Sequence, residues 1–187
     1  IMEYKMNIAG LERSLPLFPI NDDVCIAAFI LFGDVEMTKH AAAELLKNAP
    51  EFDIILTAEA KSITLAYEMT AQAGMNDYVV ARKGVKLYMG SRVVETDVKS
   101  ITTANTQKLF LGESDVAKLA DRRVLIVDDV ISTGKSLEAM QRLVEAAGGE
   151  VVGKMAVLAE GDAMDREDIF ALEKLPLFNS VGEVLEG

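Results

Sequence analysis

The stretch from Arg123 to Leu158 limits the fold of this chain more than any other. Val124, Leu125, Ile126 and Val127 stand in a row, apolar on both faces, as a strand covered from both sides requires. Two carboxylates follow, Asp128 and Asp129, and a short loop leads into the polar run Ser132-Thr133-Gly134-Lys135-Ser136, which opens a helix. From about Lys135 to Ala147, Leu137, Met140, Leu143, Val144 and Ala147 fall on one stripe at helical spacing. Gly148-Gly149 ends the helix, and Val151–Leu158 is a second buried strand. Strand, helix and strand in this order predict an α/β fold with a mostly parallel central sheet flanked by helices.

The rest of the chain agrees. Leu15–Ile20 and Val24–Phe32 read as strands separated by a turn at Asn21-Asp22-Asp23. Met37–Lys47 reads as a helix with Met37, Ala41, Ala42 and Leu45 on one face, Phe52–Thr57 as a buried strand, Ser62–Ala73 as a helix and Tyr78–Ala81 as a strand. Arg82 to about Thr106 is helix-poor and carries Gly84 and Gly90; loops this long inside a compact domain are usually functional or disordered. With 187 residues the expectation is a single domain over 1–187. Ligands of such sheets bind beyond the carboxyl ends of the strands. That singles out Thr57–Ser62, Arg82–Lys86 and Asp128–Ser136.

Composition removes several classes of function. A single cysteine, Cys25, allows no intrachain disulfide and no thiolate zinc site, and a single histidine, His40, allows no HExxH site; neither needs a catalytic role. The longest apolar run, Val24–Phe32, is too short to span a bilayer. No signal peptide precedes it, and the expectation is a cytoplasmic protein without a membrane partner. A net charge of −11 argues against a nucleic-acid partner. Yet between Ala81 and Val94 stand Arg82, Lys83, Lys86 and Arg92 with no acid among them. A local basic loop in an acidic protein points to a small anionic ligand.

The chemistry concentrates at Asp128–Ser136. The exposed N–H groups of a first helical turn, the helix dipole and the hydroxyls of Ser132, Thr133 and Ser136 make a monophosphate cradle. Gly134 lets the backbone approach a ligand closely. Carboxylates accept hydrogen bonds from diols, so Asp128 and Asp129 beside such a cradle point to a sugar phosphate. A solvated turn with one acid capping the helix would need the same residues, but not directly after four buried apolar ones. The run also differs from the P-loop pattern at a single place, where Asp129 replaces the first glycine. A carboxylate there would repel the polyphosphate that a P-loop wraps.

Val124–Ser136 closely resembles, at every position, the phosphoribosyl-pyrophosphate (PRPP) signature of type I phosphoribosyltransferases. That resemblance implies ribose hydroxyls on the catalytic pair Asp128 and Asp129, and the 5′-phosphate on Ser132, Thr133, Gly134, Lys135 and Ser136. Ile54–Ser62 resembles the family's first strand and pyrophosphate loop, with Ala60, Lys61 and Ser62 at the binding turn. Val80–Leu87 resembles the "ARK…K" segment of the adenine and xanthine enzymes, which implies that Arg82, Lys83 and Lys86 face the pyrophosphate, across a dimer interface. The resemblance runs from about Val24 to Leu158. It implies the type I fold with a small amino-terminal hood drawn from about residues 1–30, a homodimer, and Mg²⁺ brought by PRPP, with Asp128 as a candidate ligand.

The implied reaction transfers 5-phosphoribose from PRPP to a purine base, adenine first and xanthine next, in nucleotide salvage. Val98–Gln107 looks more like the xanthine enzymes and purine repressors, and the chain lacks two pairs found in the adenine enzymes: Glu-Tyr near Thr103-Ala104 and Arg-Asp near Ala27-Ala28. Glu160 stands near the place where xanthine enzymes carry a lysine for the base; an acid there accepts hydrogen bonds from an amine or a ring N–H. Phe29, with Phe18 and Phe32, is a candidate for stacking on the base. Closure of the Arg82–Thr106 loop would exclude water. The alternative is a noncatalytic PRPP-sensing regulator. About 23 residues precede the first core strand, too few for the DNA-binding domain of a repressor.

Overall fold

The computed structural model describes residues 2–98 and 107–185. Its centre is a five-stranded sheet in which every pairing is parallel. Strands β4 (Ile54–Ala58), β5 (Tyr78–Ala81), β8 (Arg123–Ile131), β9 (Glu150–Glu160) and β10 (Phe170–Leu175) lie in the order β10-β9-β8-β4-β5. The alternation along β8 divides the core between two faces. Leu125 and Val127 pack with Ile55, Met155 and Val157 against helices α1 (Val35–Lys47) and α2 (Ile63–Gln72). Val124 and Ile126 pack with Ile54 and Leu56 against α4 (Lys135–Ala146), through Leu137, Met140, Leu143 and Val144. These are the residues whose spacing predicts the sheet and that helix.

The amino-terminal residues build a separate antiparallel sheet from β1 (Glu3–Ile8), β2 (Leu11–Pro19) and β3 (Cys25–Ala27). Here the expected strand Val24–Phe32 is corrected: only three of its residues pair. The reason lies opposite, at Pro16. Ala28 N–H still donates to Pro16 O, but proline has no N–H to return. The side chains keep alternating beyond the ladder, with Phe29 and Leu31 buried and Ile30 and Phe32 exposed.

The helix-poor stretch holds β6 (Val94–Val98), which pairs antiparallel with β7 (Gln107–Leu111) just beyond it; α3 (Glu113–Leu119) follows. Residues 99–106, on which the loop-closure reading and the missing Glu-Tyr pair fall, lie outside the described residues. The tail, whose role the sequence leaves open, adds β10 to one edge of the sheet. It then returns to β3, where Cys25 and Phe178 exchange both backbone hydrogen bonds, at 2.7 and 3.0 Å. Cys25 is buried and His40 exposed. No described helix is long and apolar enough to cross a membrane.

Candidate active site

The carboxyl ends of β4, β5 and β8 converge on one side of the sheet, where parallel sheets place their ligands. They surround a cavity of about 410 Å³. Lys61 and Ser62 from the loop after β4, Lys83 after β5, and Asp128, Asp129 and Ser136 line it. A smaller cleft of about 120 Å³, walled by Ser132–Ser136, adjoins it through Asp128, Val130 and Ser136. The loops Ala60–Ser62 and Ser132–Ser136 and a carboxylate pair thus face one continuous space.

β8 runs on to Ile131, so the two aspartates belong to the strand itself. Strand alternation turns them to different surroundings. Asp128 Oδ1 accepts the Asp129 N–H at 2.9 Å and lies 3.4 Å from Ser62 Oγ. Burial pushes the Asp128 carboxyl well above its ordinary range, and the neighbouring Asp129 charge adds to the shift. Asp129 is 4% exposed; its Oδ2 is buried without a hydrogen-bond partner, although the Lys61 ammonium stands 3.3 Å away.

Gly134 caps α4 in the left-handed region, at φ +79°, which favours glycine. The turn before it leaves the first N–H groups of α4 facing the smaller cleft, where they and the hydroxyls can hold a phosphate. Glu160 is drawn to this loop. It is 8% exposed; burial raises its pKa, while a hydrogen bond with Ser132 and the charge of Lys61 oppose the rise.

Two residues inside the segment Ile54–Ser62 have no individual role in the sequence reading. Thr57, fully buried in β4, donates to Val127 O at 2.7 Å and shares a 2.7 Å hydrogen bond with Ser62, locking the loop after β4 onto β8. A lone hydroxyl inside an apolar strand is the signal that could have found it. Glu59 accepts the Lys83 N–H at 2.5 Å and stands 3.3 Å from Arg82 Nε; the Lys83 bond is the chief cause of its depressed pKa.

The expected residues therefore divide. Ala60, Lys61, Ser62, Lys83, Asp128, Asp129 and Ser136 share one cavity, and Ser132, Thr133, Gly134 and Lys135 share the adjoining cleft. Arg82 reaches Glu59 and the Tyr88 hydroxyl instead of the cavity, and Lys86 is exposed and not part of the cavity lining. Phe29 is packed into the core at 5% exposure, so its ring has no open face for a base; Phe18 and Phe32 are half-exposed.

Residues 35–176 match the phosphoribosyl transferase domain. A xanthine phosphoribosyltransferase from Exiguobacterium sp. (strain ATCC BAA-1283 / AT1b) is 35% identical over 127 residues, 68% of this chain and 64% of that protein. An adenine phosphoribosyltransferase from Thermotoga petrophila is 33% identical over 157 residues, 83% of this chain and 88% of that protein. Among solved structures, adenine phosphoribosyltransferase from Thermoanaerobacter pseudethanolicus superimposes with a TM-score of 0.64 at 25% identity, covering 77% of this chain and 84% of that one. The Saccharomyces cerevisiae enzyme, at 19% identity, shares the fold with a TM-score of 0.66 over 85% of this chain and 92% of its own.

Proposed function

The chain belongs to the phosphoribosyl transferase family, and we propose on that premise that it transfers 5-phosphoribose from PRPP to a purine base in nucleotide salvage. The observation that carries this reading is the carboxylate pair of β8 opening between the loops Ala60–Ser62 and Ser132–Ser136. The 5′-phosphate takes the N–H groups and hydroxyls of Ser132–Ser136. Asp128 and Asp129 hold the ribose hydroxyls, and the pyrophosphate lies along Ala60, Lys61, Ser62 and Lys83.

In the reaction the bond from C1 to the pyrophosphate oxygen breaks, and a ring nitrogen of the base bonds to C1 and loses its proton. Bond breaking leads, so positive charge grows on the ribose ring, where Asp128 and Asp129 stabilise it. Lys61 and Lys83 take up the negative charge of the departing pyrophosphate. Lys61 is placed for this by its 3.3 Å approach to Asp129, which holds the ammonium at the mouth of the cavity.

Among the described residues no group of three or more histidine, cysteine or acidic side chains stands close enough to hold a metal by itself. Two carboxylates, one with a buried unpartnered oxygen, suit Mg²⁺ held chiefly by substrate oxygens. Asp128 and Asp129 are the residues that would meet it; when bound, it neutralises the pyrophosphate.

Glu160, beside Ser132 at the end of β9, is the base-side acid of this reading, and it favours an aminopurine such as adenine over xanthine. The exposed apolar side chains Val85, Leu87 and Tyr88, next to the basic segment, support a homodimer. The site of action is the cytoplasm.

The test is pyrophosphate release from PRPP and Mg²⁺ with adenine, hypoxanthine, guanine, xanthine, uracil or orotate, with Asp128→Asn/Asp129→Asn as the blank. Release is expected with a purine, adenine first, and not in the blank. A preference for xanthine would remove the role of Glu160. PRPP binding without release for any base would make the chain a PRPP sensor.

A further inference from the structure

The backbone of the 5′-phosphate loop has a neighbour that its own sequence does not announce. Arg166 lies 32 residues beyond Gly134, after the single turn of 3₁₀ helix Gly161–Asp165 that follows β9. Its guanidinium is held on two sides by one carboxylate: Nε donates to Asp168 Oδ1 at 2.8 Å and Nη2 to Oδ2 at 2.6 Å. Such a bidentate pair fixes the plane of the guanidinium. The remaining nitrogen, Nη1, is aimed at Gly134, and a Cβ on that glycine would strike it. Lys154, with most of its side chain buried, places Nζ 3.4 Å from the same Asp168 oxygen. Two cations thus share one carboxylate, and the cluster bears a net positive charge in an otherwise acidic carboxyl-terminal segment.

We propose that Arg166 is a positioning residue of the ribose-phosphate site, whose fixed charge behind Gly134 strengthens binding of the 5′-phosphate and not of the pyrophosphate. This rests on the reading of Ser132–Ser136 as the 5′-phosphate loop. Gly134 is the one residue of that loop that needs a left-handed backbone, and Arg166 occupies the space a side chain would take there. The guanidinium therefore packs on the glycine and supports the turn. It also brings a cation to the loop from outside the cleft, whose lining of Asp128 and Val130–Leu137 does not include Arg166. The pyrophosphate turn is served by a different cation, Lys61, next to Asp129. Loss of Arg166 should consequently separate the two anions that PRPP combines.

The experiment is calorimetric titration of the full chain with ribose 5-phosphate and, separately, with pyrophosphate and Mg²⁺, for the unaltered protein, Arg166→Met and Arg166→Lys, with melting curves alongside. Arg166→Met should lose on the order of tenfold in ribose 5-phosphate affinity, since a nearby unit charge acts on a dianion through a partly screened path. Arg166→Lys should retain most of the affinity, and pyrophosphate should bind all three alike. Unchanged ribose 5-phosphate binding by Arg166→Met would overturn the proposal, as would equal losses in both variants or an equal loss for pyrophosphate. Should Arg166→Met not fold, Arg166→Gln carries the same comparison. If the unaltered protein does not bind ribose 5-phosphate at all, the phosphate-loop reading itself fails, and this proposal with it.

Discussion

Asp128 is where function and stability oppose each other most directly. Folding buries this carboxyl beside a second one, and its pKa rises above the unfolded value of 3.8. The folded state therefore binds the proton more tightly than the unfolded chain. Stability falls as pH rises from about 3.8 through the raised folded pKa, and the whole penalty is present above it. Asp128→Asn, which resembles the protonated acid, should melt a few degrees higher than the parent at pH 8, at about 2–4 °C per kcal/mol for a chain of this size. The advantage should vanish as pH falls to the unfolded value, while PRPP turnover is lost throughout. A variant that melts lower at pH 8 would show that the buried carboxylate is stabilised by its surroundings. Asp34 titrates with the opposite sign. Hydrogen bonds from Arg13 lower its pKa, so its contribution is present above the unfolded value and lost as pH falls through the folded one.

Among the elements, the pair β6–β7 shows how little of a tertiary clamp is visible in a local pattern. Arg142 leaves α4 to donate to Thr96 Oγ1 at 3.0 Å and to Asp97 O at 2.6 Å, with Glu138 pairing it from one turn earlier at 2.8 Å. Val98, Gln107 and Leu109 line the large cavity, so Arg142 anchors one of its walls to α4, the helix capped by Gly134. Arg142→Ala should lower amide hydrogen-exchange protection in Val94–Val98 and Gln107–Leu111 about tenfold and leave β8 unchanged, the signature of a local opening. Equal loss in β8 would mean that the clamp supports the whole fold. In sequence, β6 lies inside a stretch without helical periodicity and its alternation is short and largely polar, while β7 stands just beyond that stretch and is only five residues long. Arg142 itself reads as one more charge on the outer face of α4. The helices α1, α2 and α4 were legible because 3.6-residue stripes report burial locally.

At the level of the molecule, the two ends of the chain are tied together. Phe178 is fully buried, exchanges backbone hydrogen bonds with Cys25, and sets its ring against Tyr4 with centroids 4.9 Å apart. The tail thereby fastens the amino-terminal sheet to the side of the parallel one. Truncation of such a residue leaves a cavity and costs about 3–5 kcal/mol. Phe178→Ala should accordingly lower the melting temperature by roughly 10 °C, and a drop of only a degree or two would show that the amino-terminal sheet stands without this tie.

What the sequence determined by itself is the unit that its own contiguous residues build: β8, the carboxylate pair, the Ser132–Ser136 loop and α4, together with the α/β class. Burial on both faces, the helical stripe and the turn residues are all set within a few residues of one another. Tertiary structure decided the rest. It paired Arg82 with Glu59 and Tyr88, turned the Phe29 ring into the core, drew Glu160 onto Ser132 and brought Arg166 behind Gly134. Each of these depends on which way a side chain leaves its backbone and on what a segment elsewhere in the chain, from six to thirty-two residues away in the pairs named, places opposite it. Local periodicity says whether a residue is buried, but only packing says against what.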